Sequence, residues 1–463
     1  MNFVFCFADN ASEWNTSQWR SLTPSDGLNK HPQHEARCIP LNDFVHYGHP
    51  AVQAIVGRAE VVIVQRNLLF EDVWKACDYW RGMGKLVVAD LDDDYPHLCP
   101  QNPAYKFWIE DSTKLKERTG YAPIEAITEG FGHVDALVSP NDLIIKDWSH
   151  VVSGYWLPNY AQAEWYEGVE QKPTPEGDEP VVIGWGGSVS HWDGFFFSGL
   201  REAMVAITER YPRVMWKICG NDARVKAMMN ELVPGRWIDQ TGVPAQEWPK
   251  QVASFDIGVA PLCGPGAPQG ESYDNHRSWL KAVEYLLTGV PWVASEGPVY
   301  KRLDTKGGVC IKNTPEMWVS TLSHILDSLG QYKTASRRLM PWARKRLTMA
   351  GAIDSYVDTF RRIQAEKNER MGVRLPDVHY AEDRFEKVPA VVTDVTFSND
   401  EPGVLDRLAA CQRQTYDIAA GWYADLDLLR HGVDLGECLQ YPILHVINQA
   451  TFEEVFGAKE VAE

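Results

Sequence analysis

The chain has 463 residues, 44% hydrophobic and 23% charged, with 35 Gly and 28 Pro. That composition excludes a disordered, collagen-like or coiled-coil chain and allows roughly two to three domains of about 150 residues each. Lys and Arg total 45 against 63 Asp and Glu, a net charge of −18, so the whole-chain field opposes phosphate backbones and disfavours strong non-specific nucleic-acid binding.

In chain order, residues 3–7 (FVFCF) run directly into Asp9. With no basic segment ahead of it and too short an apolar core for a signal peptide, this run reads as a first strand. Apolar runs such as 61–64 and 181–183 are strand-sized, far below the roughly 20 residues a membrane-spanning helix needs. Strands are expected at 3–7, 60–64, 86–89, 136–138 and 152–156, with helices at 69–81 and 124–130. Alternating strands and helices predict βαβ units and a parallel sheet, here a first domain over 1–163. Within it, His31, His34, Cys38, His46 and His49 offer zinc-type ligands, but their spacing matches no zinc motif. Residues 164–180 hold six acidic residues, one Lys and three Pro, which predicts a linker or exposed loop.

The βαβ pattern then restarts. Strands are expected at 181–185, 214–219, 236–239, 256–260, 290–294 and 309–311, with helices at 194–210, 246–253, 275–287 and 315–329, giving a second domain over 181–333. The fold class is α/β: two doubly wound domains in series, with ligands expected beyond the carboxyl ends of the strands. Residues 334–370 read as helical and basic, with Arg337, Arg338, Arg344, Lys345 and Arg346 preceding the next acid, Asp354. Such a charge run serves either as a solvated face or as a nucleic-acid track. The segment 371–463 is an extension to which no role is assigned, with a strand expected at 391–397 and a helix at 403–413. Nine scattered cysteines without a CxxC motif suit free thiols in a reducing cytoplasm. Eighteen Trp leave some rings beyond the core for a stacking cleft.

The strongest chemical signal is in the second domain. A buried strand ending in Pro261 is followed by a glycine-rich loop, 263–270, and then by the helix expected at 275–287. Arg277, Lys281 and Glu284 stand at spacings of four and three, which puts them on one helix face. Two cations for phosphates and a carboxylate for ribose hydroxyls, near a helix N-terminus, match a nucleoside diphosphate. A surface ion-pair ladder of Lys281 with Glu284 accounts for the same spacing equally well. The loop is not a Walker loop, and GWGGS (184–188) is not GxGxxG, so a dinucleotide oxidoreductase is disfavoured. Asp90, Asp92, Asp93 and Asp94 follow a strand. They could orient or deprotonate an acceptor hydroxyl, cap the next segment or hold a divalent metal, with the metal ranked last.

These residues carry a resemblance. FDIGVAPL (255–262) with YDNHRSWLKAVEYLLTGVPWVAS (273–295) resembles the donor-site signature of GT-B glycosyltransferases of the family 4-like, group 1 superfamily. VVIGWGGSVSHWDG (181–194) resembles the first strand and loop of their donor domain, VVIVQRNL and KLVVADLDDDYP their acceptor domain, and WLPNY (156–160) the segment between the domains. The resemblance spans about residues 1–365. It implies two Rossmann-like domains facing a cleft, and transfer of a sugar from a nucleotide-diphosphate donor (by default a UDP-hexose) to an acceptor hydroxyl, with retention and without a required cofactor. It places Glu284 on the donor ribose and Lys281 beside the leaving phosphates. It adds Gly186, Gly187, Ser188 and Lys217 to the donor side, joined by Asn275, His276, Arg277 and Ser278 around the helix start, while His191 is either a contact to donor phosphate or acceptor or a plain polar loop histidine. Where the family has a carboxylate eight positions before Glu284, this chain has His276, so Asp274 or Asn275 would take over contacts to the donor sugar. Trp14, Trp19, Arg20, Asp90, Asp92 and Asp93 fall on the acceptor side, with Asp92 and Asp93 as catalytic candidates. The helices at 334–370 would cross back between the domains. The partners implied are a nucleotide sugar and a glycan or small-molecule acceptor, in the cytoplasm. Hydroxymethylated DNA as acceptor, or a non-catalytic sugar-binding protein on this fold, are the alternatives.

Overall fold

The computed structural model describes residues 1–8, 16–98, 100, 102, 104–187, 191–220, 223–264 and 272–370, with three short strands beyond. The chain divides into a larger compact unit, 1–76 with 87–363, and a smaller one, 77–86 with 364–463. The larger unit contains two six-stranded sheets. The first has the order β2-β1-β3-β4-β5-β6: β1 (Asn2–Phe7), β2 (Glu35–Pro40), β3 (Val61–Gln65), β4 (Leu86–Asp90), β5 (Ala136–Ser139) and β6 (Gly154–Trp156). The second has the order β12-β11-β10-β7-β8-β9: β7 (Val181–Gly186), β8 (Val214–Cys219), β9 (Trp237–Gln240), β10 (Ile257–Ala260), β11 (Trp292–Ser295) and β12 (Gly308–Ile311). The strand pairings run parallel. Both sheets follow the doubly wound pattern expected of the sequence.

The interior strands are mainly apolar, with polar residues at strand ends and Lys217 within β8, because helices cover both faces. β7 shows how two cores form on one strand. Val181, Ile183 and Trp185 enter one core with Trp216, Phe195 and Trp318, while Val182 enters the other with Phe255, Tyr285 and Trp292. Side chains alternate across a strand, and the glycines at 184 and 186 leave room on the second side. A Cβ at Gly186 would overlap the Trp248 indole.

Several expectations need correction. No strand was expected at 35–40, where β2 forms an edge strand whose outward residues, Glu35 and Arg37, hide the alternation. Residues 164–180 are mostly exposed and irregular beyond a short 3-10 turn, as expected of a loop, but the segment is anchored at a few points. Tyr166 and Gln171 are buried, and Gln171 N–H donates to the Thr288 carbonyl at 2.9 Å. Lys172 (2.7 Å) and Lys333 (2.6 Å) both reach the fully buried Asp256, whose Oδ2 also accepts from Val182 N–H at 2.8 Å. The acidic run therefore carries its own cation to a buried carboxylate.

The helix expected at 194–210 is two, Trp192–Phe197 and Leu200–Arg210, separated at Gly199. The one expected at 275–287 is also two, Ser272–Asn275 and Leu280–Thr288. The helical stretch at 334–370 belongs to two helices: Leu329–Leu347 runs through Pro341, and the break falls at Thr348, in an extended conformation, before Met349–Arg370. Around that break, Ala161 pairs with Leu347 and Met349 through backbone hydrogen bonds of 2.9 Å. Ala343 and Leu347 pack into the core of the second sheet, whereas Tyr356 and Phe360 meet Phe3 of β1 at 6.4 and 5.3 Å between ring centroids. The helix pair thus spans both sheets.

In the smaller unit Lys367 Nζ donates to the Lys85 carbonyl at 2.8 Å. Three strands, Tyr416–Ile418, Gly421–Asp425 and Leu444–Ile447, form a short sheet. The strand expected at 391–397 and the helix at 403–413 lie outside the described residues. Among the described residues no helix is long and apolar enough to cross a membrane.

Candidate active site

In the second sheet the strand order reverses between β7 and β10, the place where open α/β sheets bind ligands. β7 delivers Gly186 and Gly187 to this edge, with His191 just beyond. β10 delivers Pro261 and Leu262, whose turn is held by Asp274: its Oδ2 accepts from Cys263 N–H at 2.7 Å. The other carboxylate oxygen accepts from Arg277 Nε at 2.6 Å, and the Arg277 guanidinium lies 4.6 Å from the Tyr273 ring centroid. Asp274 is therefore committed to shaping the turn and aiming Arg277.

Arg277 does not share a helix face with Lys281 and Glu284, as the spacing suggested, because it stands in the turn between the two short helices. It nevertheless converges with Lys281. Arg277 Nη1 lies 3.3 Å from His191 Nε2, and Lys281 Nζ lies 3.3 Å from Nδ1 and 3.4 Å from Nε2. Both cations can only donate, whereas a neutral imidazole has one accepting nitrogen. Burial and the two cations push His191 well below its ordinary pKa, so the ring is neutral. Two donors compete for one lone pair, which leaves the pair well suited to an added anion. Burial and the Arg277 charge also lower the Lys281 ammonium to about 8, and its Nζ lies 5.9 Å from the Trp185 ring centroid.

Glu284 sits about one turn further along Leu280–Thr288, nearly buried. Burial raises its carboxyl to about 7, against a hydrogen bond from Trp248 and the Lys281 charge. This helix ends at Gly289, with φ 74°. There a Cβ would meet Met340 Sδ at 2.7 Å, so the Gly-Val-Pro step needs glycine both for its conformation and for the close helix contact.

The first sheet faces this edge with carboxylates. Asp93 feels the Arg277 charge, yet burial and Asp92 raise its pKa to about 7. Asp92 Oδ1 is buried without a hydrogen-bond partner among the described residues. Asn141, after β5, donates to the carbonyls of Asn275 and Arg277, both at 2.8 Å, while its Oδ1 caps Asp142–Trp148. Asn102 donates to the Tyr273 hydroxyl at 2.8 Å. Asn141 was not anticipated, although an Asn two residues beyond a strand end in a parallel sheet is a signal in itself.

Other candidates are placed elsewhere. Lys217 Nζ donates to Gln251 Oε1 at 2.9 Å and Ser254 Oγ at 3.1 Å, away from the Arg277–Lys281 pair. Arg20 and Asp90 are consumed by each other: Nε reaches both Asp90 oxygens at 2.8 and 3.0 Å, and Nη1 donates to the Leu157 carbonyl and Asn159 Oδ1. Burial still lifts Asp90 to about 6, against the pull of Arg20. Trp19 packs edge-on against Trp165 at 5.9 Å. His276 turns to the first sheet's side, with Nε2 2.8 Å from Asp147 and Nδ1 3.3 Å from Asp94. Ser278 occupies the turn between the helices, and Asn275 contributes its carbonyl to Asn141. Trp14 and Ser188 lie outside the described residues, as does most of the 263–270 loop. Among the described residues no group of three or more metal-competent side chains converges, and the Asp90–Asp94 run spreads its carboxylates over different partners.

No family model matches the chain, and no curated protein matches it. Solved structures do. Sucrose-phosphate synthase from Thermosynechococcus elongatus superposes with a TM-score of 0.54 at 11% identity, over 79% of this chain and 99% of that one. HepE of Anabaena, in complex with UDP and glucose, superposes with a TM-score of 0.47 at 13% identity, over 80% and 99%. The two parallel six-stranded sheets and the superposition on the synthase establish the GT-B fold.

Proposed function

We propose that this chain is a glycosyltransferase that moves a sugar from a nucleotide-diphosphate sugar to an acceptor hydroxyl. The observation that carries the reading is the convergence of Arg277 and Lys281 on His191 at the strand-order reversal, with Glu284 one turn beyond. The diphosphate gains charge as it leaves, and preorganised cations lower the barrier most where that charge develops. In this reading Glu284 accepts from the ribose hydroxyls. Asp93, raised to about 7, suits a group that takes the acceptor proton near neutral pH. A UDP-hexose donor and retention of configuration are part of the proposal and rest on the sequence resemblance. Incubating the purified chain with UDP-glucose and a panel of hydroxyl acceptors, then following UDP release and product mass, tests it. UDP release above the buffer rate that is lost in Lys281→Ala is expected; release no faster than in buffer, with UDP-glucose and other nucleotide sugars alike, would overturn it.

A further inference from the structure

One residue beyond Asp93 and one residue before Arg277 lies a cavity of about 310 Å³, at the small end of the about 300–1,000 Å³ range of ligand pockets. Two kinds of surface line it. Ile124 and Thr128, one turn apart on Pro123–Gly130, and Ile144 and Trp148, one turn apart on Asp142–Trp148, form a largely apolar side. Opposite them, Asp94 and Asp147 hold a set of imidazoles. His276 bridges the two carboxylates, and His97 Nδ1 lies 2.8 Å from Asp94 Oδ1. The His97 and His276 rings are nearly parallel, 6.4 Å apart. His150 also lines the cavity, and among the described residues no Lys or Arg does.

We propose that this cavity seats the acceptor, and that the acceptor is a neutral pyranoside. The assignment rests on the transferase reading only for the role of acceptor. An apolar wall that includes the Trp148 side chain suits the C–H face of a sugar ring, and carboxylate and imidazole groups opposite suit its hydroxyls. An acceptor bearing phosphate or carboxylate would meet the Asp94 and Asp147 carboxylates with no Lys or Arg among the described lining residues to offset them, which opposes its binding. His276 explains how the cavity is linked to the donor side. It belongs to the segment that aims Arg277, yet its ring forms the cavity wall, so a ring seated there lies next to the transfer site.

Saturation-transfer NMR at pH 8 with methyl β-glucopyranoside and methyl β-glucuronide, alongside calorimetry with UDP, tests this. Wild-type protein should transfer saturation to the glucoside and not to the glucuronide. Thr128→Trp fills the cavity from a part-exposed helix position. It should weaken glucoside binding about tenfold or more and leave UDP affinity unchanged. Asp147→Asn, at a half-exposed side chain, removes one charge without a change of size and should admit the glucuronide. No saturation transfer to the glucoside, equal transfer to both ligands in wild type, or glucoside binding unmoved by Thr128→Trp would each overturn the assignment. Absence of UDP binding would instead contradict the transferase reading, so the two failures are distinguishable.

Discussion

Lys281 and Asp93 titrate where enzymes work. Asp93, raised to about 7 by burial and Asp92, is protonated below that pH and can accept a proton only above it. Lys281, lowered to about 8 by burial and Arg277, loses its charge as pH rises through that value. If one must be ionised and the other protonated, kcat/KM should rise through about 7 and fall above about 8, a bell whose limbs belong to the coupled groups. A pH–rate series on wild type and Lys281→Arg checks this: Arg stays charged, so the alkaline limb should disappear. Asp93→Asn keeps the shape and removes the charge. It should cut transfer by about 10²-fold or more, the scale of general-base catalysis, with UDP affinity unchanged in calorimetry. A drop in both would make Asp93 a donor-binding group instead.

At the scale of elements, the decisive contacts join segments far apart in sequence. Asp256, at the foot of β10, binds Lys172 from the connecting segment and Lys333 from Leu329–Leu347. Removing the carboxylate would strand a buried ammonium, so Asp256→Ala should cost about 3–5 kcal/mol, read as a lower denaturation midpoint in urea. These contacts also show what the sequence left hidden. Pattern and length made the apolar strands β1, β3, β4, β7, β8 and β10 legible to within a residue or two. β2 was not legible, because an edge strand needs only one buried face. The turn at 276–279 was not legible either: Asp274, fixed by Cys263 eleven residues upstream, accepts from Arg277 Nε within it, and helical periodicity encodes neither contact. Spacing put Lys281 and Glu284 on one helix, and Leu280–Thr288 carries both, whereas the place of His191 between the cations is a long-range contact that no local pattern encodes.

For the whole molecule, the net charge of −18 opposes nucleic acid, while Arg337, Arg338, Arg344, Lys345 and Arg346 form the exposed face of a helix whose other face is buried. Arg344 Nη2 lies 3.5 Å from the carbonyls of Tyr166 and Val169, and the helix that carries it packs into the second core. Each phosphate contact adds nearly one unit to the salt slope of DNA binding. Duplex DNA, hydroxymethylated or not, should therefore bind weakly at physiological salt, and Arg344→Ala with Lys345→Ala should barely change it. A gel shift showing tight binding that this double variant abolishes would favour a DNA acceptor.

The central claim, a nucleoside diphosphate held by Arg277 and Lys281 with its ribose on Glu284, is tested most directly by calorimetric titration of UDP, GDP and ADP against their nucleosides. At least one diphosphate should bind much more tightly than its nucleoside. Lys281→Ala should remove most of that difference, and Glu284→Ala should weaken diphosphate and nucleoside alike by about ten- to a hundredfold, the worth of a charged hydrogen bond of about 1.5–3 kcal/mol. Equal affinity for diphosphate and nucleoside, or diphosphate binding indifferent to both substitutions, would contradict it.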